Sequence, residues 1–222
     1  MRKKPPKSPN PNYKQAKKTD WETWKLWAKE KLITLLYLDE SGCCLESPLS
    51  FGYSQVGQQK SITQNQNRGR RINIMGVWET AKNLEYGLKV GTYKAKNYLQ
   101  FMDTQADKAA KRLSDTGKLT VIIQDNASIH RANIVKERVQ SWAKQGLMLF
   151  FLPPYSPEMN RIEDQWLHLK RQELAARVFD DEYDLTLAIH SGKDYSDYMT
   201  LLLLGSCCIP LRIRIYKLMG KA

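Results

Sequence analysis

The stretch from Leu119 to Lys170 does most to restrict the folds open to this chain. It opens as LTVIIQDNASIH, continues through LMLFFLPPYSPEMN and closes on RIEDQWLHLK. Val121, Ile122 and Ile123 form a short apolar run that predicts a buried strand delivering Asp125 and Asn126 at its C-terminal end. Leu147 to Leu152 predicts a second strand, which ends in a Pro-Pro-Tyr-Ser-Pro turn before Asn160 begins a helix carrying Glu163. An earlier strand, Ile33 to Leu38, ends on Asp39 in the same way. Open α/β sheets bind ligands beyond the carboxyl ends of their strands. Three acids remote in sequence are therefore expected at one sheet edge.

Composition sets the outer limits. With 222 residues and 42% hydrophobic content, the chain can build one substantial core, with or without arms. A formal charge of +12 favours a polyanionic partner, nucleic acid before an acidic membrane surface, although solubility alone can also account for it. The four cysteines fall in two adjacent pairs, Cys43-Cys44 and Cys207-Cys208, and there are three histidines. Neither zinc-ribbon spacing nor a secreted disulfide framework is present, so reduced thiols in a cytoplasmic protein are expected, nucleoid-associated if its polyanionic partner is DNA. No signal peptide or membrane span is expected.

In chain order, residues 1–19 hold seven Lys or Arg, four prolines and no acid, and read as an extended basic arm. Its lysines, among them Lys3, Lys4, Lys17 and Lys18, suit phosphate contact; a solvated tail is the plainer reading. Asp20 is expected to cap a short helix in which Trp21, Trp24, Trp27 and Ala28 form a packing face. Phe51 to Gly57 suggests a strand and turn, and residues 60–71 a basic loop with Arg68, Arg70 and Arg71 placed to grip a phosphate backbone. Strands are expected at 71–79, with Gly76 marking a bulge, and at 84–90. Helices are expected at 92–113 and 133–144, the second closed by Gly146. The order predicts an α/β fold: a mixed sheet flanked by helices, in one domain spanning 31–177, with residues 1–30 a basic arm and short helix and 178–222 an atypical tail.

The acids suggest a chemistry. Two divalent ions roughly 3.5–4 Å apart can stabilise the entering and leaving oxygens when a phosphodiester is cut by water or a 3′-hydroxyl. Magnesium prefers carboxylate oxygen, so Asp39 would bridge both ions while Asp125 and Glu163 each hold one. Each acid also has a structural reading: Asp39 in a turn, Asp125 in an Asx turn, Glu163 in a capping box with Asn160.

Asp39-Glu40-Ser41-Gly42, Gln124-Asp125-Asn126-Ala127-Ser128-Ile129-His130 and, above all, Leu152-Pro153-Pro154-Tyr155-Ser156-Pro157-Glu158-Met159-Asn160-Arg161-Ile162-Glu163-Asp164-Gln165-Trp166 resemble the catalytic core of DDE transposases, in the bacterial insertion-sequence branch of the mariner superfamily. The resemblance covers roughly Leu35 to Arg177. It implies a ribonuclease H-like fold, two Mg2+ ions that Mn2+ can replace, and metal-dependent cleavage and transfer of DNA strands at transposon ends. The metal-binding, catalytic triad falls on Asp39, Asp125 and Glu163. Asn126, His130 and Asn160 match supporting positions: His130 for a loop hydrogen bond or a phosphate contact, Asn160 with Pro154, Tyr155 and Pro157 for the turn that aims Glu163, and Trp166 for packing.

Two departures qualify the resemblance. Arg161 stands where the family usually has proline. Relatives also carry helix-turn-helix modules upstream, so the chain resembles the second half of a split or truncated transposase, with a separately encoded helix-turn-helix polypeptide and a homodimer as expected partners. An inactive, DNA-binding remnant is the alternative. The composition changes abruptly at Ser191, and the remainder reads as an eroded or out-of-frame extension, or else as an extra strand over 209–218.

Overall fold

The computed structural model describes residues 11–46, 56–57, 71–80, 82–175 and 177–191. A five-stranded sheet in the order β3-β2-β1-β4-β5 forms its centre, with β1 Ile33–Cys43, β2 Ile72–Glu79, β3 Leu84–Val90, β4 Leu119–Gln124 and β5 Leu147–Phe151. β1, β2 and β3 make an antiparallel meander; β4 lies parallel to β1, and β5 parallel to β4. Helices α2 (Ala95–Thr116) and α3 (Asn133–Lys144) provide the two crossovers to the parallel strands.

Both faces of the sheet are covered, which explains why β1 and β4 read as apolar runs and not as clean alternations. Leu36, Leu38, Met75, Val77 and Ile122 face α2 and α3, where they meet Tyr98, Phe101, Met102 and Trp142. Leu35, Tyr37, Ile74, Tyr86, Val121 and Ile123 face the opposite layer, built from α1 (Pro11–Lys29), α4 (Glu163–His168) and α5 (Glu182–Ser191). Successive strand residues point to opposite faces. Asp39 therefore belongs with the α1, α4 and α5 layer, and Glu40 with the α2 and α3 layer.

Several expectations need correction. Asp39 does not end β1. The parallel ladder with β4 stops at Tyr37↔Ile123, while antiparallel pairing with β2 continues to Cys43↔Ile72. Asp39 thus sits inside a strand, two residues past the last position paired with β4, and not in a turn. Gly76 is no bulge, since both ladders of β2 run through it without a slip in register.

The N-terminal helix is longer than a cap at Asp20 allows. It is already helical at Pro11, the first described residue, and runs to Lys29. Docking carries it through the basic segment: the Lys17 ammonium lies 4.4 Å from the centre of the Phe150 ring, and Lys14 pairs with Glu158 at 3.3 Å. Trp21 is buried and Trp24 packs edge-on against Phe150, whereas Trp27 stays 42% exposed.

Packing likewise continues beyond 177. The Phe179 amide bonds to the Leu45 carbonyl at 3.0 Å, Val178 bridges Glu46, and Leu185, Ala188 and Ile189 of α5 join the core. Trp21 and these residues share one cluster with the sheet, so the hydrophobic core crosses both boundaries expected at 31 and 177. Residues 1–10, most of the strand expected at 51–57, the loop at 60–70 and the tail strand at 209–218 lie outside the described residues, as do Lys3, Lys4, Arg68 and Arg70. Val56 and Gly57 form a turn.

Candidate active site

Asp39, Asp125 and Glu163 line one cavity of about 810 Å³ at the carboxyl ends of the parallel strands, together with Asn126, Arg131, Tyr155, Asn160 and Tyr13 of α1. Each acid comes from a different kind of element. Asp39 is held in β1, Asp125 follows the end of β4, and Glu163 opens α4. Among the described residues, no three or more His, Cys, Asp or Glu side chains are gathered tightly enough to hold a single ion. The carboxylates share the cavity walls without closing on one point.

Local structure accounts for each position. Asp39 Oδ2 accepts a hydrogen bond from the Trp166 indole Nε1 at 3.1 Å. Asp125 Oδ1 accepts from the Ala127 amide at 2.9 Å, so the Asx turn allowed by the sequence is present. Asn126 Nδ2 donates to the Leu152 carbonyl at 2.6 Å, joining the loop after β4 to the start of the Pro-Pro-Tyr-Ser-Pro turn. No capping box forms at α4, since neither Asn160 nor any other side chain caps it; Asn160 Nδ2 instead donates to the Leu38 carbonyl at 3.1 Å. Tyr155 adopts φ 57°, in the left-handed region, as the turn reverses.

His130 is 3% exposed and bonded at both ring nitrogens, with Nδ1 2.9 Å from Asp125 Oδ1 and Nε2 3.1 Å from Glu40 Oε1. Burial disfavours a charged imidazole, but the hydrogen bonds to Asp125 and Glu40 outweigh it and raise His130 to about 9. The imidazolium therefore donates to both carboxylates. The same hydrogen bond is the main reason that Asp125 lies below the ordinary carboxylate range.

Asp39 goes the other way. Burial pushes its carboxyl up to about 7, and the charges of Asp125 and Glu163 add to the rise. Glu163 is raised by burial first and then by Asp164 and Glu158. The donor set is hard oxygen, with like charges crowded at one edge and the nearby histidine already committed to two carboxylates. Asn160 Oδ1 is buried with no hydrogen-bond partner among the described residues. These features suit divalent cations of the magnesium class.

A family model described as DDE superfamily endonuclease matches residues 34–186. The chain belongs to this family. As a DDE superfamily endonuclease it is 33% identical over 91 residues to the uncharacterized protein y4pE/y4sA of Sinorhizobium fredii, an alignment covering 39% of this chain and 63% of that one. Its fold is similar to that of the Mos1 mariner transposase in a paired-end complex with Mn, with TM-score 0.64, 19% identity, and coverage of 87% of this chain and 59% of Mos1. Against the Mos1 catalytic domain alone, the TM-score is 0.58 at 14% identity, with 87% of both chains covered. The DDE endonuclease chain thus spans about three-fifths of the Sinorhizobium fredii protein and of Mos1 in its paired-end complex. The mixed sheet is ribonuclease H-like, as expected from the resemblance. No helix among the described residues is long and apolar enough to cross a membrane.

Three cavity or support residues were not singled out from the sequence. Glu40 looks like one half of an acidic pair beside Asp39, and only strand alternation, which sends it to the opposite face, reveals its role beneath His130. Arg131 follows His130 directly and carried no separate signal. Tyr13 sits in the segment read as an arm and reaches the cavity because that segment is helical.

Proposed function

We propose that this chain is the catalytic domain of a transposase that cuts and joins DNA strands at transposon ends, with Asp39, Asp125 and Glu163 as its metal-holding acids. The observation that carries this reading is the convergence of those acids, from a strand, a loop and a helix start, on one cavity at the sheet edge. Two divalent ions, Mg2+ or Mn2+, would polarise the scissile phosphate and activate the attacking hydroxyl. Asp39, Asp125 and Glu163 would hold these ions from separate parts of the cavity wall.

The chain's own groups do the positioning. His130 orients Asp125 through its ring nitrogen, Asn126 ties its loop to Leu152 just past β5, and Asn160 ties the Glu163 turn to β1. Arg131 places a positive charge on the cavity wall, suited to a phosphate oxygen. Lys17 and Lys18 on α1, with the exposed Arg71 before β2, are the described candidates for contact with the DNA backbone. A homodimer and a separately encoded helix-turn-helix polypeptide would supply end pairing and sequence reading.

The test is metal-dependent nicking of supercoiled DNA. Cleavage with Mg2+ or Mn2+ that disappears in Asp125→Asn, while DNA retention persists, supports the reading. Retention without nicking under either metal would instead identify an inactive remnant.

A further inference from the structure

Trp166 is read from the sequence as a packing residue, and it is 5% exposed against the core. Its ring also reaches the first acid, because Nε1 donates to Asp39 Oδ2 at 3.1 Å. The space for that approach comes from β2. Gly76 is the register partner of Asp39, and a Cβ built on it would stand 2.6 Å from the indole Cη2 and 3.0 Å from Cζ2. The ladder through Gly76 is regular, so space, and not an unusual backbone, is what the missing side chain provides.

The placement has a further property. Trp166 lies three residues after Glu163 in α4, close to one helical turn. The helix that presents the third acid to the cavity therefore also carries the hydrogen-bond donor for the first. Carboxylate torsions are broad and roughly two-fold, so an unsupported Asp39 would sample many orientations. The N–H of a wedged indole, added to the Glu40 main-chain amide that also bonds the Asp39 carboxylate, narrows that freedom and leaves further lone pairs for a cation.

We propose that Trp166 is a positioning residue for Asp39: its indole N–H fixes how the carboxylate faces the cavity, and Gly76 is glycine so that the indole can lie there. This rests on the reading of Asp39 as a metal-holding acid. Trp166 is not among the residues lining the cavity, so its role runs through Asp39.

The test uses the full chain and Mn2+ alone, followed by electron paramagnetic resonance of the free ion. Trp166→Phe keeps a ring and removes the donor. Gly76→Ala keeps the donor and pushes it aside. Each is expected to weaken Mn2+ binding about 10–100-fold, the usual cost of losing a partner behind a metal-holding group. Because both act on one contact, the double variant is expected to lose little more than either single one. Independently of metal, the Trp166 indole N–H resonance, assigned by its loss in Trp166→Phe, should move in Asp39→Asn.

Wild-type Mn2+ affinity in a folded Trp166→Phe, or in Gly76→Ala should the first variant fail to fold, would overturn the proposal. So would an indole resonance indifferent to Asp39→Asn. A wild-type chain that binds no Mn2+ at Asp39 would overturn the underlying reading of the acids, and this proposal with it. That outcome is distinguished by Asp39→Asn having no effect on Mn2+ binding.

Discussion

The Asn160 side-chain amide donates to the main-chain carbonyl of Leu38 at 3.1 Å, joining the turn before Glu163 to the strand residue immediately before Asp39. Asn160 and Leu38 are both buried, so removing the donor deletes a hydrogen bond where water does not reach. Asn160→Ala is expected to cost about 1–3 kcal/mol. Urea unfolding will measure it, and an unchanged midpoint would remove Asn160 from the framework of the site.

Tyr155 combines φ 57° with 67% exposure on the cavity wall. A non-glycine residue in the left-handed region carries strain of order 1 kcal/mol, and little burial here offsets it. Tyr155→Gly should therefore keep or raise thermal stability while lowering the nicking rate. A clear loss of stability would show that the turn depends on the tyrosine for packing.

Cation binding to the folded chain alone should stabilise it. At a Mg2+ concentration of about a hundred times the dissociation constant, the gain is about 2.7 kcal/mol, visible as a raised melting temperature. Asp125→Asn should abolish most of that increase. An equal increase in both proteins would place the ion elsewhere.

The two lysines on α1 should separate in their effects. Lys18 is exposed, and Lys18→Gln should lower the slope of log affinity for DNA against log salt by about 0.9 without altering stability. Lys17 lies over Phe150, so Lys17→Gln should also cost roughly 0.5–1 kcal/mol in thermal or urea unfolding. Identical salt slopes for wild type and Lys18→Gln would remove Lys18 from the DNA-contacting face.

The parallel half of the sheet was the most legible part of the sequence. Strands 119–124 and 147–151 and helix 133–144 are bounded by strong signals: apolar runs, an Asp-Asn end, a closing glycine and prolines. The end of β1 was not legible because Asp39, Glu40, Ser41 and Gly42 have poor strand propensity, and pairing with β2 overrides it. The helicity of residues 11–19 was hidden for a related reason. Charge and proline content describe an arm, whereas Lys14 and Lys17 find their partners, Glu158 and Phe150, over a hundred residues away. The motifs were enough to pick out three acids that line a common cavity. The contacts of Glu40 and Trp166 were not legible, because each depends on which face of the sheet a side chain reaches.

Asp39 is fixed by the ladder between β1 and β2, whereas Asp125 sits in a loop and Glu163 begins a six-residue helix. The first acid can thus serve as a stationary reference while the other two adjust around it. If Asp125 and Glu163 hold cations as proposed, any adjustment of their spacing falls to the loop after β4 and the turn before α4, and amide exchange should be faster there than across β1.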